Sequence, residues 1–361
     1  MNIKSLLLGS AAALVAVSGA RAADAVVIAE PEPVEYVRIC DVYGTGYYYI
    51  PGTETCLKIG GRVRFDINAA DSYTPNSDDG WRTRSRAEIY MDSASETEWG
   101  TLKTNAIFRF DFDSNYYDGG HTTTKLIAGN IQIGGLLLGL ADSQFNSFIG
   151  YLGDIINDDV ISDGPYEINQ ISYTFNSGGF SAVISVEDDR GEITPYPDRG
   201  SDYMVDVVGG LGFTVGDFGV KVVGGYDDSA EEGAVKARLD AKFGQVSAWV
   251  MGGWNSGGDE INKYADSNFG GEAYGIGWGD WAVWGGLGTQ FTETLGGNFQ
   301  IGYTDSDVLA VAANLKWYPI QNLLIMPEVT YTKWDDSYNP LTGLNVDEDS
   351  WNFTLRFQRT F

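Results

Sequence analysis

Beyond residue 57 the chain alternates apolar and polar side chains with a period of two, in one segment after another. The alternation is clearest where Val235, Ala237, Leu239 and Ala241 interleave with Lys236, Arg238, Asp240 and Lys242. It recurs where Phe299, Ile301 and Tyr303 interleave with Asn298, Gln300, Gly302 and Thr304. The pattern predicts sixteen strands, near 58–69, 81–91, 101–112, 122–133, 135–141, 168–175, 180–187, 203–213, 218–226, 233–242, 245–254, 280–290, 297–304, 308–317, 323–334 and 350–361. Pro327 fits its strand poorly, because proline cannot donate to a ladder.

The connections have a rhythm of their own. Those after even-numbered strands are mostly short, as at Gly134-Gly135, Asn176 to Gly179, Phe243-Gly244 and Tyr318 to Asn322. Several after odd-numbered strands are long: Asp142 to Glu167, Asp188 to Asp202, Asn255 to Gly279 and Asp335 to Asp349. Short turns on one rim and long loops on the other are the asymmetry of an outer-membrane barrel. In the final segment Trp351, Phe353, Leu355 and Phe357 alternate with Asn352, Thr354, Arg356 and Gln358, and the sequence stops on Phe361. A strand that pairs to its last residue is what barrel closure requires, with apolar side chains toward lipid and polar ones toward a lumen. The expected fold is therefore all-β, a transmembrane antiparallel barrel of about sixteen strands.

Residues 1–22 read as a secretory signal: Lys4 opens it, Leu6 to Val17 forms an apolar core, and Ala20-Arg21-Ala22 is a small-x-small cleavage site. Residues 23–57 then form an N-terminal segment on the periplasmic side, and 58–361 the barrel. No run of eighteen apolar residues follows the signal, so a membrane home must be built from strands. Loss of Lys4 and Arg21 takes the formal charge from -27 to -29. So acidic a chain argues against nucleic acid as a partner, since phosphate binding needs clustered Lys and Arg, and suggests cations instead. Cys40 and Cys56 are close in an exported chain, and a disulfide is read ahead of free thiols. In the chain-entropy account such a loop contributes ~3 kcal/mol and stiffens the segment without supplying chemistry. A zinc site would need more Cys or His than the chain has.

Four stretches resemble the general porins of alphaproteobacterial outer membranes. They are Cys40 to Leu57 (CDVYGTGYYYIPGTETCL), Gly150-Tyr151-Leu152-Gly153-Asp154 with Asn157-Asp158-Asp159 downstream, Gly279-Asp280-Trp281-Ala282-Val283-Trp284-Gly285-Gly286, and the terminal Arg356-Phe357-Gln358-Arg359-Thr360-Phe361. Arg359 departs from the commoner aromatic at its position. The resemblance spans nearly the whole chain. It implies a homotrimer of sixteen-stranded barrels in the outer-membrane lipid, each an aqueous pore narrowed by an inward-folded third long loop.

Strand parity then proposes the residues that set permeation. Arg62, Arg64, Arg82, Arg84, Arg86 and Arg109 share the polar faces of three adjacent strands and would form one basic wall. The longest early loop carries Asp142, Asp154, Asp158, Asp159, Asp163 and Glu167. Folded inward, it would set carboxylates, with Asp154, Asp158, Asp159 and Asp163 as the constriction acids, against guanidinium groups across a narrow gap. The alternative is that the arginines merely neutralise Asp66, Glu88, Asp111 and Asp113, and that the loop is a solvated lid. Phe145, Phe148, Ile149, Tyr151, Leu152, Ile155 and Ile156 favour the first, since a loop wholly in water has no use for them.

Nothing in the chain points to catalysis. His121 is the only histidine and sits in a Gly-Gly-His-Thr-Thr-Thr context with no nucleophile motif to serve it. Paired acids recur too often for any pair to stand out, and Gly275, Gly277 and Gly279 lack the strand-then-helix setting of a dinucleotide loop. The expected function is a porin that passes small hydrophilic solutes and ions, modestly favouring cations, with no reaction, metal or cofactor. A barrel-displayed receptor or adhesin is the main alternative, followed by a barrel enzyme and a secreted sandwich.

Overall fold

Each of the sixteen expected segments forms a strand in a computed structural model of the chain, which describes residues 38–70, 80–114, 120–158, 161–188, 204–258, 262–265, 277–339 and 344–361. The signal-like stretch 1–22 lies outside the described residues. A two-residue strand, β1 (Tyr48–Tyr49), precedes β2 (Cys56–Ala70), β3 (Gly80–Thr97), β4 (Gly100–Asp113), β5 (His121–Ile133) and β6 (Leu136–Ala141). Then come β7 (Ile168–Ser177), β8 (Phe180–Glu187), β9 (Asp206–Val215), β10 (Phe218–Asp227), β11 (Glu232–Phe243) and β12 (Val246–Asn255). The last five are β13 (Trp281–Gln290), β14 (Leu295–Thr304), β15 (Val308–Ile320), β16 (Leu323–Asn339) and β17 (Leu344–Thr360). Among the described residues the only α-helix is the single turn α1 (Gln144–Ser147).

From β2 to β17 each strand pairs antiparallel with the next, and β17 pairs back onto β2, so the barrel closes. Closure runs to the chain's last residues. Thr360 lies opposite Arg62, and Gly61 and Phe361 exchange backbone N–H to O bonds of 3.0 Å each. A closed ladder leaves no edge and satisfies every inter-strand backbone group, the condition for strands in hydrocarbon.

The burial pattern is inside out. Val63, Phe65, Ile89, Phe110, Leu211, Leu239, Val250 and Phe353 are exposed, while Arg64, Asp66, Glu88, Lys236, Glu328 and Arg356 are buried. Polar groups therefore face the interior and apolar ones the bilayer, as the period-two reading predicts. The short-turn rim is built from two-residue hairpins such as Gly134-Gly135 between β5 and β6, with φ of 56° and 96°. Positive φ at both positions suits glycine, and a Cβ on Gly135 would lie 2.5 Å from the Thr174 carbonyl oxygen.

Three strand ends depart furthest from the sequence expectation. β3 runs on to Thr97, and β16 and β17 extend as a hairpin through residues expected to form the loop Asp335 to Asp349, with Ser337 opposite Val346 and Tyr338 opposite Asn345. A register shift between Trp334 and Ser337 accommodates Asp336 at φ 57°. Pro327 falls where β15–β16 pairing lapses without a change of register: Asn314 pairs with Glu328, and the next pair is Trp317 with Ile325.

Candidate functional site

The strand register turns the sequence parity of the arginines into a surface. Arg62, Arg64, Arg82 and Arg84 lie in cross-strand positions with Glu88, Arg86, Asn68 and Asp66, and Arg109 lies opposite Glu88. All six sit on the inward face of β2, β3 and β4. They are not bare charges. The Arg86 guanidinium grips Asp111 with bonds of 2.6 and 3.1 Å, Arg109 Nε donates to Glu88 over 2.7 Å, and Arg62 pairs with the same carboxylate. Arg84 stands 3.7 Å from Asp66 and Arg82 3.9 Å from Asp113, while Arg64 donates to the Gln358 amide oxygen. Five of the six arginines thus stand beside wall carboxylates, and Arg64 beside an amide. Arg356 on β17, which grips Asp66 at 2.8 and 3.0 Å, and Lys125 on β5 extend the wall on either side.

Between β6 and β7, residues 142–158 and 161–167 meet inward-facing side chains of β8, β10, β11, β15 and β16. The segment starts at a cap: Glu187 of β8 accepts from Ser143 Oγ at 2.7 Å and from the Gln144 N–H at 2.9 Å, and Ser143 Oγ accepts from the Phe145 N–H. Lys221 of β10 donates to the Phe148 carbonyl over 2.7 Å. On β11, Lys236 reaches Asn146 Oδ1 at 2.7 Å and the Asp163 carbonyl, while Arg238 donates to the Tyr151 carbonyl at 2.6 Å. Further along, Asn314 of β15 donates to the Asp154 carbonyl at 2.7 Å, Lys316 pairs with the Asp154 carboxylate at 2.5 Å, and Glu328 of β16 accepts from the N–H groups of Ile156 and Asn157.

Phe145, Phe148, Ile149, Leu152 and Ile161 form a dry cluster with wall side chains that include Val183, Val208, Val223, Met251 and Trp284. The wall is hollowed to admit them: a Cβ on Gly210 would lie 2.7 Å from the Phe148 ring. Tyr264 and Trp278, from the β12–β13 connection, join the same cluster, and Trp278 Nε1 donates to the Ser162 carbonyl over 2.7 Å. A cavity of about 1190 Å³ remains, with Arg62, Arg86, Arg109 and Lys125 on one side and Tyr151, Asp154 and Asp158 of the segment on another.

A model of the porin subfamily matches residues 24–355. The chain belongs to that family. It is 45% identical over 385 residues to the porin Omp2b of Brucella suis and 44% identical over 375 residues to that of Brucella abortus, with all of each chain covered. Among solved structures, the outer membrane channel DcaP of Acinetobacter baumannii superposes with a TM-score of 0.64 at 14% identity, covering 87% of this chain and 99% of that one. An anion-selective porin from Comamonas acidovorans gives 0.58 at 12%, covering 85% and 100%. At such identities the superpositions establish the fold alone. The protein is an integral barrel of the bacterial outer membrane.

The predicted loop acids of this porin part company. Asp154 and Asp158 line the cavity, whereas Asp163 is 1% exposed and lies 3.9 Å from Lys236 against β11. Asp163 is an anchor, and burial pushes its carboxyl up against the opposing pull of Lys236. Asp159 falls outside the described residues. Cys40 and Cys56 are bonded, 16 residues apart, and both are buried. On the closing strand Trp351, Phe353 and Phe361 are exposed to the lipid side, and Leu355 and Phe357 are half-buried. His121, at the start of β5, is exposed. The sequence reading missed Lys221, Lys236, Arg238 and Glu328 as anchors. Parity places Lys236 and Arg238 in the lumen, but nothing local says which charge a distant loop will meet.

Proposed function

We propose that this porin is a water-filled channel for passive diffusion of small hydrophilic solutes and ions, narrowed where the inward-folded β6–β7 segment faces the basic wall. The observation that carries the reading is the cavity between Arg62, Arg86 and Arg109 on one side and Asp154 and Asp158 on the other. Opposed charges across a narrow gap orient polar solutes and penalise apolar ones, while leaving both ion signs hydrated enough to pass. The wall arginines are paired with wall carboxylates, and the chain as a whole carries a formal charge of -27, so the net bias is modestly toward cations. Function is permeation rather than catalysis, with no cofactor. The working assembly is a homotrimer made from a chain whose first 22 residues are removed on export. Purified protein in planar bilayers should give discrete conductance steps. A receptor or adhesin that only displays its loops gives none.

A further inference from the structure

The disulfide-closed N-terminal segment joins the barrel at the edge of β2 that β17 leaves free below Arg62. β1 pairs with the start of β2, Tyr48 opposite Leu57 and Tyr49 opposite Cys56, and the Cys40 N–H donates to the Tyr47 carbonyl over 2.9 Å, so the chain doubles back on itself. Cys56 and Lys58 share the parity of Arg62 and Arg64, and the unbroken register sets Cys56 opposite Ala94 and Lys58 opposite Asp92. These positions face the lumen at the short-turn rim, which is the periplasmic one. Ala94 is only 1% exposed there, so the segment covers the wall at that level.

Its aromatic residues engage wall groups of the same face. The Tyr43 hydroxyl stands near the Glu96 carboxylate, the Lys58 ammonium lies 5.8 Å over the Tyr47 ring, and the rings of Tyr43 and Tyr47 meet edge to face at 6.1 Å. Both tyrosines keep part of their surface in solvent.

We propose that the segment Cys40–Cys56 is a second narrowing at the periplasmic mouth, in series with the charged gap, at which Tyr43 and Tyr47 contact the departing solute. The proposal rests on the channel reading above. Tyrosine offers an apolar ring face and a polar edge, which suits hydrophilic ring-shaped solutes such as saccharides better than simple ions. The disulfide then has a functional role: it holds the rings over the exit rather than only stiffening a terminus.

The test compares native protein with Cys40→Ser/Cys56→Ser and Tyr43→Ala/Tyr47→Ala, using single-channel conductance in planar bilayers and liposome swelling in saccharides of rising size. Both variants should raise conductance by on the order of 1.2- to 2-fold and admit larger saccharides, as expected on widening one of two constrictions in series. Should the cysteine variant not fold, the tyrosine variant decides, since its changes touch no buried group. Native conductance and an unchanged saccharide limit in a folded Tyr43→Ala/Tyr47→Ala barrel overturn the proposal alone. Native protein without conductance steps overturns the channel reading as well.

Discussion

Glu328 of β16 and Asn157 of the β6–β7 segment are 171 residues apart, and the Asn157 N–H donates to Glu328 Oε1 over 2.8 Å. The other carboxylate oxygen accepts from the Ile156 N–H at 2.6 Å and from Asn314 Nδ2 at 2.9 Å. One buried side chain thus satisfies two consecutive backbone donors at the far reach of the loop and ties it to the wall opposite its origin.

Glu328→Ala should therefore free the loop tip. Each lost charge-assisted bond is worth about 1.5–3 kcal/mol, and two backbone N–H groups would be left without their acceptor. Open-channel current noise should rise and mean conductance should change, while Glu328→Gln should lie between the variant and the native protein. A Glu328→Ala channel as quiet as the native one would show that the remaining straps suffice.

The buried pair Lys236–Asp163 makes a stability prediction. Lys236 is 0% exposed, sits 4.3 Å from the Phe145 ring and bonds Asn146. Lys236→Met leaves Asp163 buried without its counter-charge, at a cost of about 3–5 kcal/mol, whereas Lys236→Met/Asp163→Asn removes both charges and should recover much of that loss. Heat-induced unfolding in detergent reads both. Additive losses in the double variant would mean that the two side chains do not interact.

Strand parity can be tested one residue at a time on β11. Leu239 is 55% exposed on the lipid side, and Asp240 beside it lines the cavity. Leu239→Arg should cost about 2–4 kcal/mol near the bilayer midplane and lower the yield of folded barrel. Asp240→Asn should leave folding intact and alter ion selectivity. Equal effects on folding would put the register in doubt.

The trimer proposal predicts a large SDS-resistant species that collapses to monomer on heating. Light scattering in detergent that returned a single species of monomer mass would count against it.

The sequence reveals most where side chains feel two different solvents. β2, β3 and β4 separate lipid from lumen, so Val63, Phe65, Ile89 and Phe110 alternate with Arg64, Asp66, Glu88 and Arg109, and both the strands and the inward face of the arginines are legible directly. Above the membrane both faces of a strand meet water, and the signal disappears. The continuation of β16 and β17 through Asp335, Asp336, Asp347, Glu348 and Asp349 carries no alternation, and it resembles a loop in sequence although the ladder runs on.

The loop's route was partly legible. Its apolar residues announced that it packs somewhere, and the parity of Lys236 and Arg238 placed those charges inside. The meeting of Asp163 with Lys236, or of Trp278 with Ser162, depends on non-local packing that no period encodes. Trp278 lies in a Gly-rich connection with no periodicity at all. Asp163 was grouped with the pore acids because sequence shows a carboxylate on a loop and not the side of the loop on which it falls.

The proposed narrowing between the β6–β7 segment and the arginine wall is tested most directly by the reversal potential across a planar bilayer in a salt gradient. Native protein should favour cations modestly, and more strongly at low salt, where the Debye length is about 30 Å at 0.01 M. Asp154→Asn/Asp158→Asn should move the reversal potential toward anions, and Arg82→Gln/Arg84→Gln should move it further toward cations. Asp335→Asn/Asp336→Asn, on the exposed hairpin at the outer rim, should move it far less. Equal shifts from the two aspartate pairs would contradict the account and send the search for the narrowing elsewhere.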